Sequence, residues 1–206
     1  MAEITVTGAA ETRLPADRAE LATSVSVRGD SRPHVLQDAN EAHAGLVDRA
    51  KSLVAEGAAS EYVAAPVSSS SNSWRDENGN TVVEHHAYVS VRILLGELDR
   101  VGEIAAELTA SGADVQLSWG LSDELREAQT RSLRGAAVDD ARAAAEDYAE
   151  ALNASSLQLV SLRDGVPGPS IMPRVGKMAM AMDSAPEVTM GEVRVSVQIE
   201  ATFTAM

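Results

Sequence analysis

The chain has 206 residues, with seventeen Lys and Arg against thirty-one Asp and Glu, for a formal charge of −14. That length is enough to bury about 70% of the unfolded surface, while an acidic surface with scattered basic residues excludes a nucleic-acid partner and opposes docking on an anionic bilayer. There is no cysteine, which removes disulfides, thiolate nucleophiles and zinc–thiolate sites, and no apolar run reaches the ~18 residues a membrane helix needs.

Ile4, Val6 and Gly8 alternate with Glu3, Thr5 and Thr7, and a period of two predicts a strand over about residues 3–13. Leu14-Pro15-Ala16-Asp17 connects it to a second strand, about 17–28, because proline withholds a backbone donor and suits a connection or an edge. Ser31 then stands as an N-cap with Pro33 in the first turn of a helix. Val35, Leu36, Ala39, Ala42, Leu46, Val47, Ala50, Leu53 and Val54 form its apolar stripe, and Gly57 ends it.

Strands of about 60–73 and 81–95 follow. The Asn78-Gly79 pair between them predicts a hairpin, since both residue types accept positive φ. A short helix, about 97–110, stops near Ser111-Gly112, and a strand of about 113–121 leads to Ser122-Asp123-Glu124, an N-cap with acids in the first turn. The long helix beyond it, about 122–153, carries the stripe Leu125, Ala128, Leu133, Ala136, Ala137, Ala141, Ala144, Tyr148, Ala151 and Leu152. Gly135 is a place where it can bend. After a strand of about 155–163 and a long loop, the chain closes on Glu192–Phe203, where Val193, Val195, Val197, Ile199, Ala201 and Phe203 alternate with polar residues without a fault.

The order strand, helix, strand, strand occurs twice, over residues 17–95 and 113–205. This predicts one α+β domain, 1–206, with a largely antiparallel sheet of about seven strands, two long helices and one short helix. Aromatic residues are few, so the core is aliphatic and alanine-rich.

Five blocks carry a resemblance: Ile4-x-Val6-x-Gly8; Leu14-Pro15-Ala16-Asp17-Arg18-Ala19; Leu121-Ser122-Asp123; Ala136-Ala137 with Asp139-Asp140-Ala141-Arg142 and Ala145-Glu146; and Gly191-Glu192-Val193 entering the last strand. In order and spacing the chain resembles the SIMPL-domain family, a bacterial family of unknown biochemical activity. The resemblance implies an α+β fold, homo-oligomers that are sometimes envelope-associated, and loose links to oxidative or antibiotic stress. It implies no catalytic residues. Familiar members begin with a signal peptide, whereas Met1-Ala2-Glu3-Ile4 already reads as strand with an acid in place of a basic residue. The expectation is therefore a cytoplasmic protein.

Few residues offer chemistry. His85 and His86 are adjacent on a strand, point to opposite faces and cannot share a metal; with His34 and His43 they read as surface or rim residues. The run Ser68-Ser69-Ser70-Ser71-Asn72-Ser73 shows no base beside it and no nucleophile elbow, so it reads as an exposed strand end. Asp139-Asp140 and Glu146-Asp147 suit a solvated helix face. The segment 164–190 concentrates Pro, Gly and five of seven methionines. Met178, Met180 and Met182 are candidate soft thioether ligands for Cu(I), set against a linker, a subunit contact or an oxidation site. The expected function is a non-enzymatic homo-oligomeric scaffold without cofactor, partnered by itself, with a small-ligand or Cu(I)-binding module as the alternative.

Overall fold

The structure, a computed structural model, describes residues 1–165 and 189–206. It is α+β with antiparallel pairing throughout, as the alternating segments predict. The elements run β1 (Ala2–Pro15), β2 (Arg18–Gly29), α1 (Arg32–Glu56), β3 (Ala59–Ala64), β4 (Ser68–Arg75), β5 (Thr81–Leu95), α2 (Val101–Ala110), β6 (Asp114–Gly120), α3 (Asp123–Ala151), β7 (Leu157–Asp164) and β8 (Glu192–Ala205). A 3-10 turn, Leu98–Arg100, precedes α2. Eight strands among the described residues replace the seven expected because residues 60–73 divide into β3 and β4 around Ala65-Pro66-Val67. No described helix is long and apolar enough to cross a membrane.

Two compact units emerge. One comprises Met1–Ala16, the chain from Leu121 through β7, and Gly191–Met206; its sheet is ordered β1-β8-β7. The terminal strands pair along their whole length, from Ala2 opposite Ala205 to Pro15 opposite Glu192. Their apolar residues, among them Ile4, Val6, Ile199, Ala201 and Phe203, are buried together with Ala137, Ala141, Ala145 and Ala149 of α3. The buried stripe of α3 thus runs at strict i, i+4 spacing. Ala145 and Ala149 belong to it, whereas Tyr148 and Leu152 are more than half exposed. Four-residue steps advance 40° past each full turn, so a stripe of small residues drifts away from the broader pattern that Tyr148 and Leu152 suggested.

Gly8 permits the contact. A Cβ there would lie 2.0 Å from the carbonyl oxygen of Ala137 and 2.7 Å from the Ala141 Cβ. Ser122 caps α3 as expected, accepting from the Leu125 amide at 3.3 Å.

The other unit, Asp17–Gly120, holds the sheet β3-β5-β2-β6, with β4 also paired to β5. Its core gathers Leu21, Val89, Val91, Ile93 and Leu95 with Leu46, Ala50 and Leu53 of α1 and Ile104 and Leu108 of α2. Thr23 is the buried polar exception, and its hydroxyl donates to the Val91 carbonyl at 2.7 Å. That bond avoids the penalty of an unsatisfied buried group. Gly57 closes α1 with φ 84, the left-handed conformation expected of a terminating glycine.

Candidate functional site

β5 is long enough to take two partners on one side. β3 pairs with Glu61 to Ala64 opposite Leu94 to Val91, and β4 pairs from Ser68 opposite Tyr88 to Arg75 opposite Thr81. On the other side β2 runs out where Gly29 meets His85. Beyond that point β4 and the start of β5 form a two-stranded ribbon. Every residue of β4 is exposed, including Trp74 at 48%.

The ribbon ends in a turn held by Asp76. Its Oδ1 accepts from the amides of Asn78 at 2.9 Å and Asn80 at 2.8 Å, and Oδ2 accepts from the Asn80 side chain at 3.1 Å. These donors, the Asn80 amide foremost, hold the Asp76 carboxyl below its usual range. The hairpin stands where Asn78-Gly79 predicts it, but only Gly79 takes positive φ. An Asx-type closure by Asp76 holds the turn.

At the ribbon's base lies a shallow depression of about 200 Å³ on the face of the sheet opposite the buried residues of β5. Antiparallel pairing stacks two rows there: Ser26, Tyr88 and Ser68 in one, Arg28, His86 and Ser70 in the next. Ser68 donates to the Tyr88 carbonyl at 3.3 Å. Glu84 Oε2 lies 2.8 Å from His86 Nε2, yet that buried nitrogen makes no hydrogen bond, so the carboxylate is an electrostatic neighbour outside the ring's donor direction. Arg28 and Ser26 escaped the sequence reading; the signal was in the pairing offset, which sets Arg28 beside His86.

The two histidines do face opposite ways. His85 Nδ1 meets Ser71 Oγ at 2.7 Å across β4 and β5, so the serine run does acquire an imidazole, one that sequence adjacency could not reveal. No acidic group orients the ring among the described residues, and a nucleophile needs its base held by a third group. The contact is a cross-strand tie of the ribbon. His34 is exposed and His43 half-buried on α1. Among the described residues no group of three or more His, Asp or Glu is placed to hold a metal ion. Met178, Met180 and Met182, with most of the segment 164–190, lie outside the described residues.

Asp140 does more than face solvent: its carboxylate accepts from the Ala9 amide of β1 at 2.9 Å. In the other unit Arg49 of α1 reaches Glu107 of α2 at 2.7 Å and Glu56 at 3.1 Å, and Glu56 also accepts from Arg100 at 3.0 Å. The hydrogen bond from Arg100, then that from Arg49, holds the Glu56 carboxyl below its usual range. A depressed folded value stabilises the fold above the unfolded value and is lost as pH falls through the folded one. The difference in urea midpoint between wild type and Glu56→Gln is accordingly expected at pH 7 and should shrink steadily as the pH is taken below the ordinary Glu range.

The model of SIMPL, a protein of unknown function (DUF541), matches residues 4–203. The chain belongs to the SIMPL family. The SIMPL match extends from Ile4 in β1 to Phe203 in β8, and so takes in both units. No curated protein matches the chain.

Proposed function

We propose that this SIMPL protein is a non-enzymatic scaffold that assembles with copies of itself through the outer edge of β4. The single observation that carries the reading is that β4 is the one undefended edge among the described strands. Exposed edges invite pairing with another chain, and proteins guard them with charge, proline, bulges or short length.

Each of the other edges has such a guard. β1 carries Glu3, Glu11, Arg13 and Pro15 and has the Ala9 amide occupied by Asp140. β7 is interrupted by a register shift between Leu159 and Ser161 and ends in Arg163-Asp164. β3 is six residues long and irregular at its start, and β6 opens with Asp114 in a run of seven.

β4 has eight residues in continuous register, no proline, no acid and no charge before Arg75. In a chain of charge −14, that neutral edge adds no charge of its own to the contact between two copies. Two β4 strands related by a two-fold axis would pair antiparallel, the same patch meeting itself. An isolated two-stranded ribbon is marginal in water, so the pairing also supplies a third and fourth strand.

Light scattering at micromolar concentration is expected to give at least twice the 21.6 kDa chain mass. Ser69→Lys with Ser73→Lys, which charges the edge without entering the core, should reduce the mass to that of a monomer while leaving the circular dichroism unchanged. A monomeric wild type, or a multimer that survives both lysines, refutes the assembly through β4.

A further inference from the structure

The depression at the base of the ribbon has a chemistry that assembly does not use. We propose that it is a binding site for a small oxyanion, such as a phosphate or a carboxylate carried on a compact metabolite. Its polar side chains are all of kinds that can donate a hydrogen bond, and none is acidic. Arg28, Ser26, Ser70, Tyr88 and His86 are among the residues that line it, and the side chains of the first four have no hydrogen-bond or ion-pair partner among the described residues. Arg28 alone presents five N–H groups in a planar fork that matches two oxygens of one anion.

No acidic residue lines the depression, although acids outnumber bases by thirty-one to seventeen in the chain. Glu84, against His86, stands just outside the lining. A basic, hydroxyl-rich patch on an acidic protein selects by size. A polyanion would be repelled by the surrounding surface, whereas a single phosphate or carboxylate meets only the local donors. The volume, about 200 Å³, is below the ~300 Å³ where drug-sized pockets begin, which fits an anion with a few attached atoms. The half-exposed Tyr88 ring beside Arg28 gives such a ligand a flat surface to lie against.

Placement by register explains why the site is built rather than accidental. Ser26 and Arg28 come from β2, His86 and Tyr88 from β5, and Ser68 and Ser70 from β4, so three strands hold two parallel rows of side chains. Side chains directly opposite across antiparallel strands sit about 5 Å apart and diagonal ones about 7–8 Å, so Arg28 has His86 opposite it and Tyr88 on the diagonal, with Ser70 on the far side of β5 in the same row.

The test is a titration with inorganic phosphate, and separately with acetate, followed by amide chemical shifts, at constant ionic strength maintained with chloride. Saturable shifts confined to Ser26, Arg28, Ser70, His86 and Tyr88 are expected. Arg28→Gln should weaken them tenfold to a hundredfold, the usual value of a hydrogen bond to a charged group. Arg28→Lys, which keeps the charge and loses the fork, should fall between the two. Saturation by phosphate alone assigns the site to phosphate esters, and saturation by both anions to oxyanions generally. Shifts that are unsaturable at roughly 100 mM, scattered over the surface, or unchanged in Arg28→Gln overturn the proposal. Because both variants lie on β2, a failure here is distinct from a failure of assembly through β4.

Discussion

Gly8→Ala is expected to destabilise the unit built on the terminal strands by about 3 kcal/mol, the upper end of what overpacking costs. The reason is the identity of the obstacle. The added methyl would sit 2.0 Å from the Ala137 carbonyl oxygen, 2.7 Å from the Ala141 Cβ and 2.8 Å from the Ala141 amide nitrogen. Two of those three atoms are backbone, which cannot rotate away, so α3 as a whole must lift from β1 and β8. Lifting it loosens the contacts of Ala137, Ala141, Ala145 and Ala149 at once.

A trimmed neighbour is therefore a poor remedy. Ala141→Gly in the same chain removes the Cβ but leaves the carbonyl, and adds about 1 kcal/mol of helix cost. The double variant should be no more stable than Gly8→Ala alone. Urea unfolding followed at 222 nm, where the 29-residue α3 contributes strongly, measures both. A loss under 1 kcal/mol in Gly8→Ala would show that α3 does not approach β1 as closely as the structure has it.

Gly8 also shows what a sequence discloses. Its place in Ile4-x-Val6-x-Gly8 suggested a family before any reason for the glycine was visible, because the reason lies 129 residues away in the backbone of α3, at Ala137. Local patterns were legible: the alternation of β1 and β8, the caps at Ser122 and Gly57, and the stripe of α1 all rest on neighbours a few residues apart. Ser31 stands at the predicted N-cap position but makes no side-chain bond, Pro33 within the first turn serving that helix start.

Pairing was not legible. That Asp140 would reach the Ala9 amide, or that His85 would meet Ser71, depends on register and on which strand neighbours which. The depression is the extreme case. Arg28 and Ser70 are 42 positions apart, and neither belongs to a motif; they become one site only because β5 takes β2 on one side and β4 on the other. A strand's alternation announces which face is wet, and says nothing about what shares that face.

Ile93→Ala is expected to cost about 3–4 kcal/mol in the five-stranded unit, within the range for deleting a buried isoleucine. Ile93 is fully buried on β5, and its register partners are Leu21 on β2 and Tyr62 on β3. Leu21 in turn pairs with Leu117 of β6, so one row of apolar side chains crosses four strands at this level. α1 packs on the same strands, and close packing leaves little freedom to refill the space of three lost carbons.

Two comparisons separate this account from a general sensitivity of β5. Ile93→Val removes a single methylene and should cost about 1 kcal/mol. Arg92→Ala, one residue away on the exposed face, should stay within about 0.5 kcal/mol of wild type. Trp119 packs against the same core, and its fluorescence during urea unfolding reports all three variants. Equal losses at 92 and 93 would mean that β5 does not present alternate faces to core and solvent, and the register that sets Arg28 beside His86 would fall with it.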